Sequence, residues 1–134
     1  EVVSLGQGHG RVADGLVKYR DPRPPKSYGL IVDAKAYGCY SFPAGDVRKM
    51  KEYITLHGQE LYQEAIPRHA FLFVSMDFTD PQVPLEEISR DTAVDGTAAD
   101  VFTLLEMGAR VVRRELSLLD LYPAFTTNGR FQCL

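Results

Sequence analysis

The run His69-Ala-Phe-Leu-Phe-Val-Ser-Met-Asp-Phe78 constrains the fold of this chain more than any other segment. Its centre is apolar at consecutive positions, so as a strand it presents apolar side chains to both faces of a sheet. Such a strand needs cover on both sides and belongs in the middle of its sheet. Two more strands are predicted upstream. Arg11 to Tyr19 carries Val12, Leu16 and Val17, and Tyr28 to Tyr37 reads Tyr-Gly-Leu-Ile-Val-Asp-Ala-Lys-Ala-Tyr. Between them, Asp21-Pro-Arg-Pro-Pro-Lys26 is a turn, because proline has no N–H to give to a ladder. The two strands therefore return on each other as a hairpin.

After Pro43 a helix is expected, with Asp46 or a near neighbour as its N-cap, running to about Ala65 before Pro67 stops it. Val47, Met50, Ile54 and Leu61 mark its buried face, and Arg48, Lys51, Glu52 and Gln59 the other. Thr79 to Pro84 is a connection, followed by a short helix over Leu85 to Ser89. Ala98 to Arg110 reads as a further helix with Val101, Leu104 and Leu105 inward, Leu118 to Leu121 as a last short one, and Asn128-Gly129 as a turn. Leu5-Gly-Gln-Gly-His-Gly10 is a glycine-rich loop and not a phosphate-binding P-loop, since Gly-Lys-Ser/Thr is absent.

A chain of 134 residues, 45% hydrophobic and 25% charged, forms one globular domain with a real core. No apolar run approaches the roughly twenty residues of a membrane span, and no signal peptide opens the sequence. A soluble, cytoplasmic protein is expected, with Cys39 and Cys133 as free thiols. The net charge of −3 argues mildly against nucleic acid until it is mapped. Residues 1–51 hold nine basic and five acidic side chains, so the remainder carries the acidity. A basic half suits a polyanionic substrate, although an ordinary solvated surface accounts for it equally well.

The chemistry concentrates in that half. On a strand, residues i and i+2 project the same way, so Asp33 and Lys35 share a face. The hairpin brings Asp14 towards Asp33. Two carboxylates suit a hard divalent cation, and a lysine beside them suits a water nucleophile and the charge of a phosphate. The Asp-x-Lys triplet alone is weak, and its blander reading is a solvated acid and base at a strand end. Ile31 and Val32 before the pair and Ala36-Tyr37 after it indicate a largely buried strand, where ionised groups need a reason. His9 stands beside Arg11 in the glycine-rich entry, within reach of a phosphate, but reads first as a solvated loop histidine. His57 and His69 read as helix surface and strand start, without the spacing of a zinc site. Tyr37 and Tyr40 read as packing residues, and no nucleophile elbow of a serine hydrolase is present.

The Tyr28–Tyr37 run, the Pro43-Ala-Gly45 approach to a helix, the Phe71-Leu-Phe-Val-Ser75 strand and the ending from Leu118-Leu119 to Phe125-Thr-Thr-Asn-Gly129 together resemble the cleavage domain of the FokI restriction endonuclease. The blocks follow the same order across almost the whole chain. FokI belongs to the nucleases that carry a Pro-Asp and then an Asp/Glu-x-Lys motif. The resemblance implies an α/β fold of restriction-endonuclease type, a mixed sheet flanked by helices, with Mg²⁺ (or Mn²⁺) as cofactor and double-stranded DNA as substrate. By the same resemblance, Asp14 and Asp33 match the two metal-binding aspartates, Lys35 the catalytic lysine, Ala34 a main-chain carbonyl ligand, and Arg11 a basic residue near the DNA backbone. His9 joins Arg11 as a DNA-contact candidate.

Three departures from the family pattern stand out. Ala13 replaces the proline before the first aspartate. The family has helical segments before the first catalytic strand, whereas Glu1 lies thirteen positions before Asp14, so the chain reads as a fragment. A single cleavage domain over residues 1–134 is expected, without the N-terminal helices, and with an upstream DNA-recognition domain in the full-length protein. Third, the family pairs this helix with its twin through an acid followed four residues on by a base, and here Arg48 and Glu52 stand in reverse order. A two-fold interface makes each contact twice, so the reversal preserves the pairing of a homodimer. The competing explanation is an ordinary intrahelical pair. The resemblance leaves two other activities open: an inactive DNA-binding or dimerisation module of the same fold, and a structure-selective nuclease acting on junctions or repair intermediates.

Overall fold

The computed structural model describes residues 1–4, 13–35 and 38–132. Among the described residues, five strands, β1 (Val2–Ser4), β2 (Gly15–Tyr19), β3 (Tyr28–Ala34), β4 (Arg68–Ser75) and β5 (Gly96–Asp100), form one sheet in that spatial order. The hairpin of β2 and β3 is antiparallel, as is the pairing of β1 with β2, whereas β3, β4 and β5 run parallel. The sheet is therefore mixed, with the apolar strand β4 inside it.

Parallel neighbours require a crossover, and helices supply both. Helix α1 (Ala44–Gln63) links β3 to β4, and α2 (Gln82–Thr92) links β4 to β5. Both pack on one face, where Ile31, Phe71 and Phe73 meet Val47, Met50, Ile54, Leu61, Leu85 and Ile88. Helix α3 (Val101–Val112), the short α4 (Leu118–Leu121) and a 3-10 turn at Tyr122–Thr126 cover the other, where Leu30, Ala70 and Leu72 meet Met107, Leu121 and Phe125. Consecutive residues of β4 thus enter different cores, which is why its apolar run is unbroken. Among the described residues, no helix is long and apolar enough to cross a membrane.

Four expectations need correction. Ala98 to Asp100 belong to β5, not to the helix that follows. The alanines suit a helix by propensity, but pairing with β4 overrides it. Gly96 sits across from Phe71, and a Cβ there would overlap the phenyl ring. Helix α3 begins at Val101 because the Asp100 carboxylate accepts from Thr103 N–H at 2.9 Å, an N-cap. Within α3, Leu105 points outward, 66% exposed, and Met107 is the buried residue. Phe102 and Val112 of that helix are exposed as well, so its apolar residues are not confined to the buried face. Asp46 is not the cap of α1: Pro43 holds that position without a side-chain bond. His57 lies in the core instead of on the helix surface.

Candidate active site

The geometry follows from the register of the hairpin. Gly15 pairs with Val32 and Leu16 with Ile31, so continuing the antiparallel register sets Asp14 opposite Asp33. Side-chain alternation puts Asp33 on the same face as Ile31, towards α1. Asp33 is 5% exposed, whereas Asp14, just before β2, is open to solvent. The Ala34 main chain holds Asp14, its N–H donating to Asp14 Oδ2 at 2.8 Å. Lys35 N–H donates to the Val74 carbonyl at 2.7 Å and carries the β3–β4 pairing one residue beyond the strand. The lysine side chain then returns to Asp33, with Nζ 3.0 Å from Oδ2. Asp14, Asp33 and Lys35 therefore meet at one end of β3.

Helix α1 supplies the remaining wall. Asp46 in its first turn lies 3.5 Å from Lys35 Nζ and accepts the Tyr40 hydroxyl at 2.8 Å. Tyr40 is buried among Phe42, Phe73 and Phe78, as a packing residue should be. It also presents its ring to Lys35, with Nζ 5.6 Å from the centroid. Lys35 is thus held between two carboxylates and an aromatic face. Asp46 and Tyr40 were hard to read as parts of this site, because a first-turn aspartate has a commoner explanation as a cap.

The electrostatics are those of a carboxylate kept uncomfortable. Burial, and then the Asp14 carboxylate beside it, push Asp33 up to about 6, against the opposing pull of Lys35. For Lys35, burial acts downwards, but the bonds and charges of Asp33 and Asp46 outweigh it and raise its affinity for the proton. A partly buried pair of acids is relieved by a proton or a cation placed between them. A hard divalent cation fits this donor set, with oxygen ligands from Asp14 and Asp33. Among the described residues, no cluster of three or more His, Cys, Asp or Glu side chains could hold a metal.

Of the other predicted site residues, Arg48 and Glu52 lie exposed on α1, and neither makes an ion pair with another described residue. The competing intrahelical pair is therefore not formed. His9, Arg11 and Tyr37 lie outside the described residues, as does Cys133, while Cys39 is exposed.

The sequence matches the family model of the FokI cleavage domain over residues 1–132. The chain belongs to the FokI cleavage domain family. The structure of the FokI restriction endonuclease bound to DNA matches with a TM-score of 0.84 and 26% identity, covering 99% of this chain and 25% of that one. A second FokI restriction endonuclease structure gives the same TM-score and identity, covering 98% of this chain and 25% of the other. The chain thus spans about a quarter of the length of the FokI chains it matches. No curated protein sequence matches. The family and the mixed, helix-flanked sheet agree on a nuclease domain of restriction type.

Proposed function

We propose that this domain is a Mg²⁺-dependent endonuclease that hydrolyses phosphodiester bonds of double-stranded DNA, acts as a homodimer in the cytoplasm, and serves an upstream recognition domain as a type IIS enzyme does. The observation that carries the proposal is the convergence of Asp14, Asp33 and Lys35 at the end of β3, with Asp33 buried and raised to about 6. Asp14, Asp33 and the main-chain carbonyl of Ala34 would hold the cation. Mn²⁺ would suit the same oxygens. When bound, the cation supplies Lewis acidity at a phosphate oxygen and makes a nearby water more acidic.

The protein's own groups do the rest. Lys35 orients the attacking water and offsets negative charge gathering on the phosphate oxygens. Its resting partners, Asp33 and Asp46, fix the ammonium at the place where it is needed, so little reorganisation precedes reaction. The water oxygen bonds to phosphorus while the bond to the leaving sugar oxygen breaks. Exposed Arg48 and Glu52 are available to a second copy, Arg48 of one protomer facing Glu52 of its partner. Each protomer then cuts one strand. His9 and Arg11, shortly before Asp14 in the sequence, are assigned to the phosphate backbone.

The test is nicking and linearisation of supercoiled plasmid with and without Mg²⁺ across a protein concentration series, with Lys35→Ala in parallel. Metal-dependent cutting that disappears in the variant, while DNA affinity and fold persist, is expected. Equal behaviour of parent and variant sinks the enzyme reading and leaves the inactive binding module. Preferential cutting of branched over linear DNA reassigns the domain to structure-selective nucleases.

A further inference from the structure

Asp14 follows a residue with no freedom to solvate its main chain. Ala13 is fully buried, and its N–H donates to Nε2 of His57 at 3.2 Å. His57 is itself 1% exposed, and its Nδ1 lies 3.0 Å from Glu60 Oε2 one turn along α1. An ionised glutamate only accepts, so the proton of the neutral ring belongs on Nδ1 and the lone pair on Nε2. That is the tautomer Ala13 needs. Glu60 is solvent-facing and anchors the ring from outside, while the ring reaches through the core to the chain beside Asp14.

We infer that His57, oriented by Glu60, is a positioning residue for catalysis that fixes the main chain at Ala13 and thereby aims the Asp14 carboxylate. The inference rests on the proposed role of Asp14. It also accounts for a departure from the family motif, in which proline occupies the position of Ala13. Proline has no N–H and requires no acceptor. Alanine brings a buried donor, and a buried donor without a partner is costly. The acceptor comes from α1, from a histidine that falls on the same stripe as Met50, Ile54 and Leu61. Asp14 thus has two supports: Ala34 N–H holds its carboxylate, and His57 holds the chain that carries it.

The coupling makes a directional prediction. His57→Phe keeps an aromatic ring in the core and removes the acceptor, whereas Ala13→Pro removes the donor. Cleavage kinetics of the full chain in Mg²⁺ are measured for the parent, for His57→Phe and for Ala13→Pro/His57→Phe, together with the ¹⁵N NMR signals of the His57 ring in the parent. The ring is expected with a protonated Nδ1 and a bare Nε2. His57→Phe should lower kcat roughly tenfold or more with KM for DNA little changed, since a misplaced catalytic group costs rate before affinity. The double variant should recover most of that loss. A ring that merely fills space gives no such rescue.

Cutting by His57→Phe at the parental rate, a loss that Ala13→Pro leaves uncorrected, or a proton on Nε2 in the parent each overturns the inference. Should His57→Phe not fold, the parental ring signals and folding of the double variant decide it. A parent that does not cut removes the role of Asp14 and this inference together, an outcome distinct from an active parent indifferent to His57.

Discussion

Replacing Asp33 by asparagine should make the metal-free protein more stable while removing a proposed metal ligand. The asparagine amide has nearly the shape of a protonated aspartate, so Asp33→Asn reproduces the form that the buried site prefers. The preference can be scaled from the shift: the carboxyl is raised from 3.8 to about 6 by burial and by Asp14. At about 1.4 kcal/mol per unit, the ionised carboxylate costs about 3 kcal/mol at pH 8. Lys35 is not stranded by the change, because Asp46 remains 3.5 Å away. The sign follows from proton counting. Between 3.8 and about 6 the folded protein holds a proton that the unfolded chain has lost, so stability falls as pH rises through that window. Below it parent and variant should match, and above it the gap should be full and constant. For a domain of this size, about 3 kcal/mol corresponds to roughly 10 °C in Tm. The assay is urea unfolding followed by far-UV circular dichroism in EDTA, at pH 4 and pH 8. Added Mg²⁺ should then stabilise the parent by mass action and leave Asp33→Asn unmoved. A variant no more stable than the parent at pH 8, or a gap that is the same at both pH values, would refute a destabilising carboxylate pair.

The charge pair on α1 and the tight corner of β5 carry two more predictions beside those for Lys35 and His57. Arg48→Glu should weaken self-association roughly tenfold, from two lost exposed ion pairs of up to about 1 kcal/mol each, and adding Glu52→Arg should restore it. Sedimentation of parent, single and double variants reads this directly, and a single variant that associates like the parent removes the pair from the interface. Gly96→Ala drives a methyl into the Phe71 ring and should lower stability by about 1 to 3 kcal/mol through strain in a packed core. A thermal melt unchanged from the parent would show that β5 has room to shift.

The sequence by itself determined the elements whose cause is local. Period-two alternation set Asp33 and Lys35 on one face, and the proline-rich turn at 21–26 brought Asp14 back to them. The unbroken apolar run of β4 required cover on both sides, and it has cover on both. The stripe of Val47, Met50, Ile54 and Leu61 was legible for the same reason, and it contained the sign that was missed: His57 falls on that stripe. Its polarity argued for the surface, where Glu60 one turn along could meet it, but its other ring nitrogen takes a main-chain N–H forty-four residues away. Asp46 was hidden similarly, since its real neighbours, Lys35 and Tyr40, come from the β3 end and the segment leading to α1. Residues 98–100 became strand because an edge of β4 was open to small side chains, a demand that propensity cannot express. The placement of Asp14, Asp33 and Lys35 could be read along the chain, because strand geometry and turn chemistry are short-range. What holds that chemistry in place was decided by the tertiary structure, because a buried donor or acceptor takes its partner from whichever element packs against it.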